Sequence, residues 1–160
     1  MEFFPAWLRV EPFLLAGLAL WTSLAAFNNA RAFGHGTAYI GFIMGMGGLR
    51  IEGVPDSPLM GRAVKHSAAH RLVLFMIILL ECATAIALWA AALLFFMSTP
   101  PIDPSLAAFF AVCLFMGLGF TLLVGGSWFA YYAHMDQAQI THFLMIALSV
   151  LVLCLLRLGT

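Results

Sequence analysis

The stretch that decides the fold is Leu72–Met97, LVLFMIILLECATAIALWAAALLFFM, a run of 26 residues interrupted by a single ionisable acid, Glu81. A bilayer core about 30 Å thick needs roughly 20 apolar residues in helical form, so this run is long enough to cross with some tilt. Three further runs meet the same criterion: residues 12–30, 106–124 and 140–156. Each is expected to be helical, because lipid offers no partner to backbone N–H and C=O groups. The expected fold is all-α: a four-helix transmembrane bundle forming one domain over residues 1–160.

Composition leads to the same conclusion. The chain is 64% hydrophobic and 9% charged, with a mean hydropathy of +1.04. Soluble domains run near 45–50% apolar and about 25% charged. A 160-residue soluble monomer could not hide that much apolar surface, and disorder is excluded on the same ground. The net charge of zero leaves no basic footprint for nucleic acid. Ala30-Arg31-Ala32 imitates a signal-peptidase site, but the leader carries Glu2 and Glu11 and is not net basic. The first run is therefore read as a retained helix.

The connection 31–71 is long and mixed. Phe33 to Leu49 has no charged residue, yet Gly34, Gly36, Gly41, Gly45, Gly47 and Gly48 crowd it. So much glycine weakens a free-standing helix. The expectation is a re-entrant or interfacial segment packed on the bundle between helices 1 and 2, with a fifth span as the alternative. Turn chemistry follows in Gly53-Val54-Pro55-Asp56-Ser57-Pro58 and recurs in Ser98-Thr99-Pro100-Pro101. Asp103-Pro104-Ser105 is a helix start. With four spans, Arg31, Arg50, Arg62, Lys65 and Arg71 fall on one side and Arg9 and Arg157 on the other. The positive-inside rule makes the first side cytoplasmic.

All five histidines gather at that same surface: His35, His66 and His70 before the second span, His134 and His142 before or at the start of the fourth. Several chemistries fit. The i, i+4 pair His66 and His70 could offer two nitrogens to a metal. His70 and His142 on neighbouring helices could ligate a b-type haem, or hold a quinone head group together with Arg62 and Arg71. The plain alternative is headgroup-zone snorkelling, since H-x-x-x-H without H-E-x-x-H is common. Cys82, Cys113 and Cys154 fall one to a span and read as buried free thiols.

Glu81 lies ten residues into the second run, about 15 Å deep on a rise of about 1.5 Å per residue. A charged carboxylate there costs at least about 2.5 kcal/mol. Either it is functional, as a proton or ligand site, or it is a neutral acid bonded to another helix, with Thr84 and Thr121 the expected partners. Ala83, Ala87 and Ala91 form a small-residue seam, with Ala107, Ala111, Gly117 and Gly119 as matching surface. Trp7, Trp128, Tyr131 and Tyr132 are assigned to aromatic belts.

These residues carry a resemblance. Phe27-Asn28-Asn29, Tyr39-Ile40 through Met46, Arg62-Ala63-Val64, His70, Glu81 and Gly125-Gly126-Ser127-Trp128-Phe129 resemble, in order and spacing, a bacterial family of predicted small integral membrane proteins of unknown function. The family often has His where this chain has Phe42, Asp where it has Gly47 and an acid where it has Ser127. The resemblance implies four spans and a bacterial inner-membrane location, with no reaction.

No P-loop, nucleophile elbow, Rossmann glycines or haem-attachment motif appears in the sequence. The expected role is a non-catalytic accessory or structural subunit of a larger respiratory or photosynthetic inner-membrane complex, with lipids bound around it. The alternatives are an anchor subunit binding haem or quinone for electron transfer, and a small transporter component with Glu81 as its proton site.

Overall fold

A computed structural model describes residues 10–53 and 56–158. Glu2, Trp7, Arg9, Val54 and Pro55, on which expectations were placed above, lie outside the described residues. Among the described residues six α-helices follow one another: α1 (Glu11–Arg31), α2 (Phe33–Met44), α3 (Gly47–Ile51), α4 (Ser67–Leu94), α5 (Pro104–Trp128) and α6 (Asp136–Leu158). Short 3₁₀ turns at Pro58–Arg62 and Tyr131–Ala133 complete the order. Four of the helices, α1, α4, α5 and α6, are long and apolar enough to cross a membrane. The chain is an all-helical, multi-pass integral membrane protein.

Local chemistry sets the helix starts. Pro12 sits in the first turn of α1 and Pro104 in that of α5, where a missing N–H costs nothing. Asp103 caps α5, its Oδ1 accepting from the Ser105 N–H at 2.9 Å. Inside the helices, hydroxyls donate to the carbonyl one turn back: Thr22 to Leu18, Thr84 to Leu80, Thr121 to Gly117 and Ser149 to Met145, all at 2.7–2.8 Å. Polar side chains are thereby satisfied within their own helix, as a lipid-facing bundle requires.

The core joins Leu15, Leu18 and Ala19 of α1 to Leu88, Ala91 and Ala92 of α4, Ala108, Ala111, Val112 and Phe115 of α5, and Met145 and Val152 of α6. Around it the surface is apolar: Phe13, Leu24, Ile86, Leu93, Phe110, Val124 and Leu151 are all exposed. So large a continuous apolar exterior is the lipid-facing side of a membrane protein. The α4 contact runs through Thr84, Ala85, Leu88, Ala91 and Ala92, whereas Ala83 is exposed and Ala87 half-buried. Four-residue steps rotate by about 40° each on a helix of about 3.6 residues per turn, so a strict i, i+4 series leaves the contact face. On α5 the close approach to α6 is at Gly119, where an added Cβ would stand 3.2 Å from Met145 Cβ, while Gly117 is exposed with open space beside it. The cysteines are free, but Cys82 and Cys154 face outward rather than into the core.

The glycine-rich stretch is helical. α2 covers 12 residues, about 18 Å, which is too short for a separate span. It prolongs α1 across a break at Ala32, with Ala32 N–H bonded to Asn28 O and Gly36 N–H to Ala32 O, each at 2.9 Å. Together α1 and α2 run antiparallel to α4 in one register. Phe13 meets Phe96, Ser23 meets Trp89, Asn29 meets Glu81, Gly36 meets Leu74 and Gly41 meets His70. Two of the glycines make this possible. A Cβ on Gly36 would lie 2.9 Å from Leu74 Cδ2, and one on Gly41 2.8 Å from His70 Nδ1. Close packing on α4 thus offsets the poor intrinsic helicity expected of the segment.

Beyond α2 the chain turns through Met46 in the left-handed region (φ 58°), and Ala130 repeats that conformation (φ 52°) after α5. Met46, Leu49 and Ala130 pack together as a second small core, closed by Leu59, Met60, Ala63 and Phe129. Arg62 lies over the Trp128 ring at 4.3 Å, adding a cation–π contact to this end of the bundle.

Candidate functional site

Glu81 is the most constrained polar group in the bundle. It is 5% exposed, and both carboxylate oxygens accept from the Asn29 amide nitrogen, at 2.9 and 3.0 Å. The antiparallel register places it level with the last turn of α1, beside Asn29 and two residues before Arg31. Its expected partners, Thr84 and Thr121, instead spend their hydroxyls on carbonyls of their own helices. In the sequence Asn29 stands out only within the Phe27-Asn28-Asn29 stretch of the resemblance; its role depends on the α1–α4 register.

Glu81 and Asn29 stand at one side of a cavity of about 430 Å³ between α1, α2, α4, α5 and α6. Ile40, Ile43, Val73, Ile77, Leu122 and Phe129 give it mostly apolar walls. Its other polar groups are Tyr39, Thr121 and the pair Tyr131 and His142. The Tyr131 and His142 rings stack at 5.8 Å with 12° between planes, and Tyr131 Oη lies 3.1 Å from His142 Nδ1. Burial pushes the Tyr131 phenol above its usual range, so the O–H is retained as a donor to that nitrogen. Tyr131 is therefore an interior residue, 4% exposed, while Trp128 and Tyr132 are exposed as belt residues would be. The turn at Ala130 brings its ring against Gly126, where a Cβ would stand 2.8 Å from Tyr131 Cδ2. Nothing local in the sequence distinguishes Tyr131 from Tyr132; the φ of Ala130 does.

The histidines gather at one end of the bundle but point to different partners. His70 is buried, with Nε2 2.9 Å from Val64 O and its ring against Gly41. His66 is exposed in extended backbone at the start of α4, outside the helical turn that would align it with His70. His134 lies 3.7 Å from Glu52, and His35 is exposed on α2. No group of three or more His, Cys, Asp or Glu side chains converges among the described residues. Of the residues assigned to haem or quinone, His142 lines the cavity. His70 is not among the lining residues and packs against Gly41, Arg62 rests on Trp128, and Arg71 is exposed. The cavity wall thus holds an acid, an amide and a Tyr–His pair, a set suited to hydrogen-bonding one polar end of an otherwise apolar molecule.

No curated protein and no solved structure matches this chain. Residues 9–159 match the family described as "Predicted small integral membrane protein (DUF2165)", with four membrane helices in the fold as its resemblance implied, and the chain belongs to that family.

Proposed function

We propose that this chain is a non-catalytic membrane subunit of the bacterial inner membrane that holds a small lipid-soluble molecule in the cavity beside Glu81. The observation that carries the reading is the cavity itself: about 430 Å³, apolar on most sides, with Glu81, Asn29, Tyr131 and His142 on its wall. That volume falls in the range of small-molecule sites, and the lining has the usual few polar groups on an apolar body. Polar groups grouped in this way suit an amphipathic ligand, of which a quinone is one kind.

Gly125 provides the test. It lines the cavity, and a Cβ there would meet nothing within 4 Å. Gly125→Leu should therefore fold while filling the space. Protein released from native membranes in mild detergent should carry a small molecule, seen by native mass spectrometry, and the variant should lose it. Equal occupancy in both would overturn the reading.

A second reading, a structural subunit of a larger respiratory or photosynthetic complex, is favoured by the outer face of α1–α2. Asn28, Arg31 and His35 are exposed there at i, i+3 and i+7 spacing, on one side of the rod. No hydrogen bond or ion pair to the Arg31 guanidinium occurs among the described residues, and a carboxylate on a neighbouring subunit would complement it. Arg31→Glu should dissolve a high-mass species on native gels of solubilised membranes; an unchanged pattern removes this face from any assembly.

A further inference from the structure

We propose that the cavity selects an organic cation: an amine or quaternary ammonium with an apolar body, its positive end placed at the Glu81 carboxyl group. The proposal rests on the reading of the cavity as a ligand site and adds the charge of the ligand. Three observations carry it.

The first is an imbalance of charge. Glu81 is 5% exposed and the cavity lining includes no Lys or Arg. Its one hydrogen-bonding partner among the described residues, Asn29, is neutral. Held as the carboxylate, Glu81 would have a single neutral donor, so a cation within reach takes the place of the proton that burial otherwise favours. The second is that the basic side chains of this end of the bundle are directed elsewhere. Arg62 lies over Trp128, and Arg71 and Lys65 are exposed. The one imidazole on the wall, His142, has Nδ1 engaged by Tyr131. The third is the aromatic lining. Tyr39 and Phe129 line the wall beside the stacked Tyr131–His142 pair, and aromatic faces attract quaternary ammonium groups through their quadrupoles. A neutral ligand would use the donors and the apolar wall and would leave the acid its proton, whereas a cation exchanges with that proton.

The test uses a pair of probes that differ in charge alone. Benzyltrimethylammonium and its neutral carbon isostere, neopentylbenzene, are titrated against the full-length protein in lipid nanodiscs, with tryptophan fluorescence and calorimetry as readouts. Saturable binding of the cation at least about tenfold tighter than the isostere is expected, a gap that one close charge pair supplies. Glu81→Gln keeps the size of the side chain and an amide partner for Asn29, and should reduce cation affinity to that of the isostere. Helix content and monodispersity of that variant confirm that it folds, and Gly125→Leu should remove binding of both probes. Equal affinity for the two probes, or an unchanged cation affinity in Glu81→Gln, overturns the cation proposal while leaving the cavity as a ligand site. Binding of both probes that persists in Gly125→Leu overturns the cavity reading itself.

Discussion

At the residue scale, the glycines differ in what they do, and substitution should separate them. Gly41→Ala puts a methyl group 2.8 Å from His70 Nδ1, so the imidazole must move and give up its contact with Val64 O. A loss of about 1–3 kcal/mol is expected from such overpacking. Gly117→Ala meets nothing within 4 Å and should be neutral or stabilising by up to about 1 kcal/mol, the helix preference of Ala over Gly. Thermal unfolding in one detergent, scored side by side, checks both. Asn29→Leu strips the one donor from Glu81 and should cost about 1–3 kcal/mol, as an orphaned buried acceptor does. Asn29→Ser, which keeps a donor hydroxyl, should restore part of it. The sequence pointed to Glu81 because an acid inside an apolar run stands out on inspection. It did not point to Asn29 as its partner, since the two are 52 residues apart and only a tertiary register joins them.

At the element scale, the long apolar helices were legible because span length and composition suffice to identify them. α2 was not, because its glycines argue against a helix on propensity while their benefit is realised only against α4. From Asn29 to Gly36 the chain advances seven residues, and the partner positions on α4, Glu81 to Leu74, retreat by seven. That constancy makes α1 and α2 one broken rod. Gly36→Leu should wedge the second half of the rod from α4 and leave the first half in place. Hydrogen exchange should then accelerate across the α2 amides of residues 33–44, with those of residues 14–28 unchanged. Uniform acceleration over both would mean that the rod detaches as one piece. The Ala83 seam misled for a related reason. Small residues recur every four positions there, but the face that packs follows the helix period, so Ala91 is buried and Ala87 half-buried against the core, while Ala83 is exposed and Ala85 and Ala92 join the contact.

For the whole molecule, four membrane helices place the α4–α5 turn on one side and the α5–α6 turn on the other. By the positive-inside rule, the excess of Arg and Lys in residues 31–71 predicts that this connection, and the α5–α6 turn with it, faces the cytoplasm. In a background with the three cysteines replaced by alanine, a membrane-impermeant maleimide should label Ser98→Cys in intact cells and label His134→Cys only after permeabilisation. The reverse pattern would invert the orientation. The two ends also differ in construction. The α4–α5 connection is a short turn through Pro100 and Pro101, whereas the other end is fastened by the Met46, Leu49 and Ala130 cluster and by Arg62 on Trp128. The cavity borders the fastened end, and its lining residues Met44, Phe129 and Tyr131 adjoin that cluster in sequence or pack against it.

The broken rod also has a consequence for the order of events during synthesis. α1 leaves the ribosome before α2, as an apolar segment long enough to enter the bilayer. α2 cannot hold a helix by itself, since Gly34, Gly36 and Gly41 weaken it and the surface that would compensate, residues 70–74 of α4, has yet to be made. It must wait through the translation of about thirty further residues, a delay of a few seconds at about 5–20 residues per second. The acid in α4 then arrives beside an amide that is already in the membrane, so the costliest side chain in the chain is met by its partner as it enters.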